Sequence, residues 1–194
     1  MLSIVIFSTL VLITYGLNLI IHLDTLSFWY ITIAMVLSVI IEILINALVA
    51  TITCKWLPRK WYEKDSKFFK VSKREQNFYI KVFRVKAWKD SILELGALNH
   101  FRKNEFKDSS DPEYIKLFIV ENNRGYVDHL FSIIVGAFLI FAYPTPLFWS
   151  MGLPTILINF IMNYMPVIIL RYNTPRLQSA LKFAQRKIAN NEKR

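Results

Sequence analysis

Apolar positions run without a Lys or Arg from Leu2 to Ile21 and again from Phe28 to Thr53, and only Asp24 and Glu42 carry charge between Met1 and Cys54. Each run reaches the roughly 20 residues that a helix needs to cross about 30 Å of hydrocarbon. From Cys54 to His129 charged and aromatic positions are mixed. Apolar runs then return at Leu130 to Tyr143 and Trp149 to Leu170, separated by the turn Pro144 to Phe148. The pattern predicts an all-α integral membrane protein with about four transmembrane helices in two hairpins and a basic, partly helical cytoplasmic or interfacial segment between them. The segments are residues 1–53, 54–129, 130–170 and a tail 171–194, expected to form one compact unit. Leu130 to Tyr143 is short for a span, so it either borrows Pro144 to Phe148 or forms a tilted or re-entrant hairpin. Asp111-Pro112 opens a helix that runs towards His129 and into which this span can merge.

Composition agrees with the pattern: 54% of residues are hydrophobic, and 24 Lys and Arg against 14 Asp and Glu leave a net charge of +10. The distribution of charge adds orientation. Residues 54–129 hold 17 of the basic residues and the tail holds the other 7, while both hairpin turns have none. The positive-inside rule therefore predicts a multi-pass cell-membrane protein with both termini cytoplasmic. The first run lacks a charged n-region and a small-x-small cleavage site, so it reads as a retained helix. Nucleic acid is not an expected partner, because the basic residues adjoin spans. There each attracts anionic inner-leaflet lipid by about 1 kcal/mol. Trp56, Trp61, Tyr62, Phe68 and Phe69 among Lys55, Arg59, Lys60, Lys64 and Lys67 fit a headgroup-layer segment, or simply a topology signal with interfacial anchors. The single Cys54 makes no intrachain disulfide.

Candidate chemistry lies on the helix after Pro112. Glu121, Arg124 and Asp128 share about 60° of arc at 100° per residue, and His129 lies about 80° from Glu121. Such a cluster beside a membrane is either a salt-bridged face or a site. Glu42 with Asn46 in the second span, and Asn159 with Asn163 in the fourth, stand at i, i+4; interhelical hydrogen bonding and a functional site are both open for each pair. Pro154 and Pro166 free carbonyls that polar groups must satisfy. Phosphate loops, nucleophile elbows and metal-binding spacings are absent, and no metal is implied. His100 and Glu105 form a weak H-x4-E pattern similar to the H-x4-D of glycerolipid acyltransferases.

Four collinear pieces carry a family resemblance: Lys86-x-Trp88-Lys89; Glu121-x-x-Arg124 with His129; Asn163-x-x-Pro166; and Arg171-Tyr172-Asn173-x-Pro175-Arg176-Leu177. Over about Phe83 to Arg186 they resemble the glycosyl-4,4′-diaponeurosporenoate acyltransferase family, small membrane enzymes that acylate a sugar-bearing carotenoid. One position departs: where the family pattern E-x-x-R-x-E-x-x-H has its second acid, this chain has Tyr126. The resemblance implies transfer of a fatty acyl group to a hydroxyl of a membrane glycolipid, the sugar of a glycosylated C30 carotenoid. It implies His129 as general base, with Glu121 or Asp128 orienting it, and Arg124 or Arg171 for the oxyanion or a phosphorylated carrier. Trp88, Lys89, Asn163, Arg171, Tyr172, Asn173 and Arg176 are the expected substrate-binding residues. No cofactor is expected beyond acyl-CoA or acyl carrier protein as donor, and the sequence carries no signal of oligomeric state. The rival expectation is a non-catalytic lipid-binding, immunity or assembly protein on the same scaffold; a transporter would need internal symmetry that the chain lacks.

Overall fold

A computed structural model describes residues 2–63, 66–92 and 111–191 of the chain. Helices α1 (Leu2–His22) and α2 (Phe28–Thr51) form the first pair, and Ser27 caps α2 by accepting from the Tyr30 N–H at 3.2 Å. A π-helical turn, Ile52–Trp56, extends α2. Short helices α3 (Arg59–Glu63), α4 (Lys73–Lys81) and α5 (Val85–Trp88) follow. Arg84 takes the left-handed φ of 47° before α5, and Trp88 Nε1 closes that reversal by donating to the Phe83 carbonyl at 2.7 Å.

α6 (Pro112–Ala137) begins at the expected Asp111-Pro112, with Asp111 Oδ1 accepting from the Glu113 N–H at 2.9 Å. It passes His129 without a break into a 3₁₀ turn, Phe138–Ala142. The third apolar run is therefore the end of a 31-residue helical stretch. Its hydropathy looked short because Glu121, Arg124 and Asp128 occupy the same helix. A three-residue helix α7 (Thr145–Leu147) and a π-helical turn, Phe148–Gly152, lead into α8 (Leu153–Asn191). The tail predicted to start at Arg171 is thus a continuation of the fourth span. Pro166 and Pro175 each withhold one N–H from the carbonyl four residues back, and no glycine follows to end the helix. Among the described residues there is no strand, and four helices are long and apolar enough to cross a membrane. The protein is an all-α membrane protein.

Contacts cluster in two units, residues 1–56 with 127–166 and residues 57–126 with 167–194, so α6 and α8 each contribute to both. In the first unit polarity is inverted relative to a water-soluble core. Thr14, Asn18, Ser38, Glu42, Thr53, Ser132, Asn159 and Asn163 are buried, whereas Ile20, Trp29, Phe141 and Trp149 are 70–81% exposed. Hydrocarbon as solvent produces this, because apolar side chains face lipid freely while polar groups need partners inside. Ile31, Met35, Leu147 and Met151 pack at one end of this unit. Pro154 has no N–H for the Ser150 carbonyl; Asn18 Nδ2 donates to it at 2.8 Å, and Ser150 Oγ donates back to Asn18 Oδ1 at 2.7 Å. His22 Nε2, 2.8 Å from Ser150 Oγ, is then the donor of that contact.

The second unit buries Tyr62, Val85, Ile115, Ile168 and Ala184. Its aromatic basic stretch divides: Trp61 and Phe68 are exposed, while Tyr62 is buried with its carbonyl accepting from Asn123 Nδ2 at 2.8 Å. Trp56, in the first unit, is exposed. Lys64 lies outside the described residues.

Candidate active site

In the first unit, α6 brings His129 against α8, where its Nδ1 lies 2.9 Å from Asn163 Oδ1. A carbonyl oxygen only accepts, so Nδ1 carries a proton, and in the neutral imidazole Nε2 then holds the lone pair. The orienting partner is this amide; neither Glu121 nor Asp128 takes that place. Asp128 Oδ1 accepts from Thr53 Oγ1 at 3.2 Å, and its carboxyl interacts electrostatically with His129. The two i, i+4 pairs of the sequence meet here, since Asn163 Nδ2 donates to Asn46 Oδ1 at 3.0 Å. Asn46 Nδ2 donates to Glu42 Oε1 at 3.1 Å, and among the described residues Glu42 Oε2 has no partner.

Gly136 makes this approach of helices possible. A Cβ there would lie 2.8 Å from Asn159 Cγ and 3.0 Å from Glu42 Oε1. Asn159 cannot swing aside without losing its bond to the Ser132 carbonyl at 3.0 Å. Gly136→Ala gains about 1 kcal/mol of helix propensity, but overpacking costs about 1–3 kcal/mol. Lower thermal stability in detergent is expected; a higher melting temperature would show that Asn159 yields freely.

In the second unit Arg124 Nη1 donates to both carboxylate oxygens of Glu121 at 2.8 and 2.9 Å, and its guanidinium lies 5.5 Å from the Tyr62 ring centre. Its buried Nε has no partner among the described residues. Arg171 is spent differently. Nε and Nη2 grip Glu75 at 2.7 and 2.8 Å, and Nη1 and Nη2 donate to the carbonyls of Phe68 at 3.0 Å and Lys70 at 2.9 Å. Its guanidinium lies 4.9 Å from the centre of the Tyr126 ring, which also packs on Phe68 and Phe69. The departing residue thus offers Arg171 a π face while Glu75 supplies the charge. Tyr172 is buried beside Arg176, at 5.5 Å, Asn173 is half-buried, and Lys89 pairs with Asp90 at 2.6 Å.

Glu75 occupies the third position of α4, where the Ser72 Oγ accepts from its N–H at 3.1 Å and the Ser72 N–H returns a bond to its carboxyl. Burial alone would raise the Glu75 carboxyl, yet the hydrogen bonds from Arg171 and Tyr79, the Arg171 charge and the Ser72 N–H together hold it below its usual 4.5. A depressed folded value means stabilisation that is complete above the unfolded value and is lost as pH falls through the folded one. The melting temperature should therefore drop on acidification below about pH 4.5, and Glu75→Gln should flatten that drop; an unchanged slope would contradict the pairing. The H-x4-E pattern of His100 and Glu105 lies outside the described residues.

The helices and this histidine define a class of multi-span membrane proteins with a half-buried, amide-oriented imidazole. A family model then fixes the relationship: the chain belongs to the glycosyl-4,4′-diaponeurosporenoate acyltransferase family, which matches over residues 58–183. No curated protein and no solved structure matches. The matched region contains Glu75, His129, Asn159, Asn163 and Arg171, whereas Glu42 and Asn46 precede it.

Proposed function

We propose that the protein is a membrane O-acyltransferase that moves a fatty acyl group from a thioester donor, acyl-CoA or acyl carrier protein, to a hydroxyl of a membrane glycolipid. The acceptor we assign is the sugar of a glycosylated C30 carotenoid, in keeping with the family's name. The observation that carries the chemistry is the His129–Asn163 contact, which holds the ring proton on Nδ1 and so supports Nε2 as the base of the neutral ring. Nε2 takes the acceptor hydroxyl proton as the oxygen attacks the thioester carbonyl. The tetrahedral intermediate collapses with a new C–O bond and a broken C–S bond, and the imidazolium returns its proton to the departing thiolate. An amide cannot neutralise that imidazolium, so Asp128, which interacts with it electrostatically, is assigned this role. Of the two arginines, Arg124 is the one with an N–H, on Nε, that has no partner among the described residues, and we assign it the donor's phosphate. Trp88, Lys89, Tyr172, Asn173 and Arg176 remain assigned to substrate binding, whereas the Arg171 fork serves to hold residues 68–75 to α8.

Lipid extracts from cells with and without the protein test the reading. A new acylated glycolipid is expected, and an unchanged profile would favour the non-catalytic scaffold. The segregation of basic residues supports an orientation with both termini in the cytoplasm. A cysteine placed at Ser27 or Thr145, in a Cys54→Ser background, should therefore react with an impermeant reagent on intact cells. Labelling confined to positions near Lys73 would invert the orientation.

A further inference from the structure

Asn163 serves as an acceptor for His129 only if its amide keeps one sense. Turned by 180°, it would offer Nδ2 to the ring, the imidazole proton would move to Nε2, and the outward lone pair would be lost. The two senses have the same shape, so the neighbours of Nδ2 decide between them. These are Asn46 Oδ1 at 3.0 Å, Asn159 Oδ1 at 2.5 Å and the Asn159 carbonyl at 3.1 Å. Both side-chain acceptors are themselves held in one sense by backbone groups that cannot turn over. Asn46 Nδ2 donates to the Glu42 carbonyl at 2.8 Å, and Asn159 Nδ2 donates to the Ser132 carbonyl at 3.0 Å. Donation therefore runs in one direction, from Nδ1–H of His129 through Asn163 and then through Asn46 and Asn159 to backbone carbonyls on α2 and α6.

We propose that Asn46 and Asn159 are positioning residues for His129: by fixing the sense of the Asn163 amide, they hold the imidazole proton on Nδ1 and keep Nε2 available as the base. The consequence for rate rests on the acyl-transfer reading; the consequence for the tautomer does not. Neither residue needs to touch substrate, and Asn46 lies outside the region that the family match covers. The arrangement also explains why a glycine stands at position 136, where a side chain would displace Asn159.

The test uses the full-length protein in lipid nanodiscs with ¹⁵N-labelled imidazoles, His129→Gln assigning the signal among the three histidines. Wild type should show the Nδ1–H tautomer at His129. Asn46→Ala and Asn159→Ala should populate the Nε2–H tautomer and lower kcat by about 10- to 100-fold, with KM changed no more than about two-fold, as expected when an orienting partner is removed. If Asn159→Ala fails to insert, Asn46→Ala carries the test, because the Glu42 carbonyl it releases remains inside a regular helix. An Nε2–H tautomer in wild type, or an Asn46→Ala protein that keeps Nδ1–H and full kcat, would overturn the proposal. A tautomer that shifts in the variants, beside a wild type that acylates nothing, would uphold the positioning and defeat the acyl-transfer reading alone.

Discussion

Replacing His129 by alanine is expected to lower acyl transfer by about 10²- to 10⁴-fold at equal abundance in the membrane. The imidazole can take a hydroxyl proton and return it, and with Nδ1–H donated to Asn163 the lone pair of the neutral ring is on Nε2. The variant should still insert. Removing the ring leaves one amide oxygen unpaired, which costs about 1–3 kcal/mol, while Asn163 keeps its bonds to Asn46 and Asn159. Rates of ester formation in isolated membranes provide the measurement. His100→Ala is the control, expected to be mild; if it abolishes activity while His129→Ala spares it, the base belongs to the His100-x4-Glu105 pattern instead.

Arg171→Leu should have the largest effect on stability, about 3–5 kcal/mol, the range for removing one partner of a buried ion pair. The loss would leave the Glu75 carboxylate short of its fork and remove the bonds that Arg171 donates to the carbonyls of Phe68 and Lys70. Arg171→Lys should recover little, since a single ammonium cannot reach a bidentate carboxylate and two carbonyls in the same geometry. Thermal inactivation in detergent reports the difference. A lysine variant as stable as wild type would mean that charge alone matters there.

Hydropathy and charge made the four spans legible, and the start of α6 could be read from Asp111-Pro112. The end of the fourth span could not be read in the same way: a basic residue at position 171 marks where hydrocarbon gives way to headgroups, but a helix stops only where its backbone chemistry changes. Spacing on α6 pointed His129 towards Glu121 and Asp128, because periodicity reports only neighbours on the same helix. Its partner comes from 34 residues further along, and Arg171 finds Glu75 at a separation of 96. The pairs Glu42/Asn46 and Asn159/Asn163 were visible as polar i, i+4 steps in apolar helices, yet their meeting is a tertiary event. Two local signals were available. Gly136, a residue without a side chain in a span beside such polar pairs, marks a close approach of helices, and Ser72-x-x-Glu75 is a capping box that announces α4.

The central claim is that this chain transfers acyl groups through His129. It is tested most directly by reconstituting the purified protein with a glycosylated C30 carotenoid and a labelled acyl thioester, supplied in turn as acyl-CoA and as acyl carrier protein. The account predicts a labelled ester on the sugar with at least one donor, formed by wild type and not by His129→Ala. An acceptor left unmodified with both donors, or equal product from His129→Ala, would contradict it.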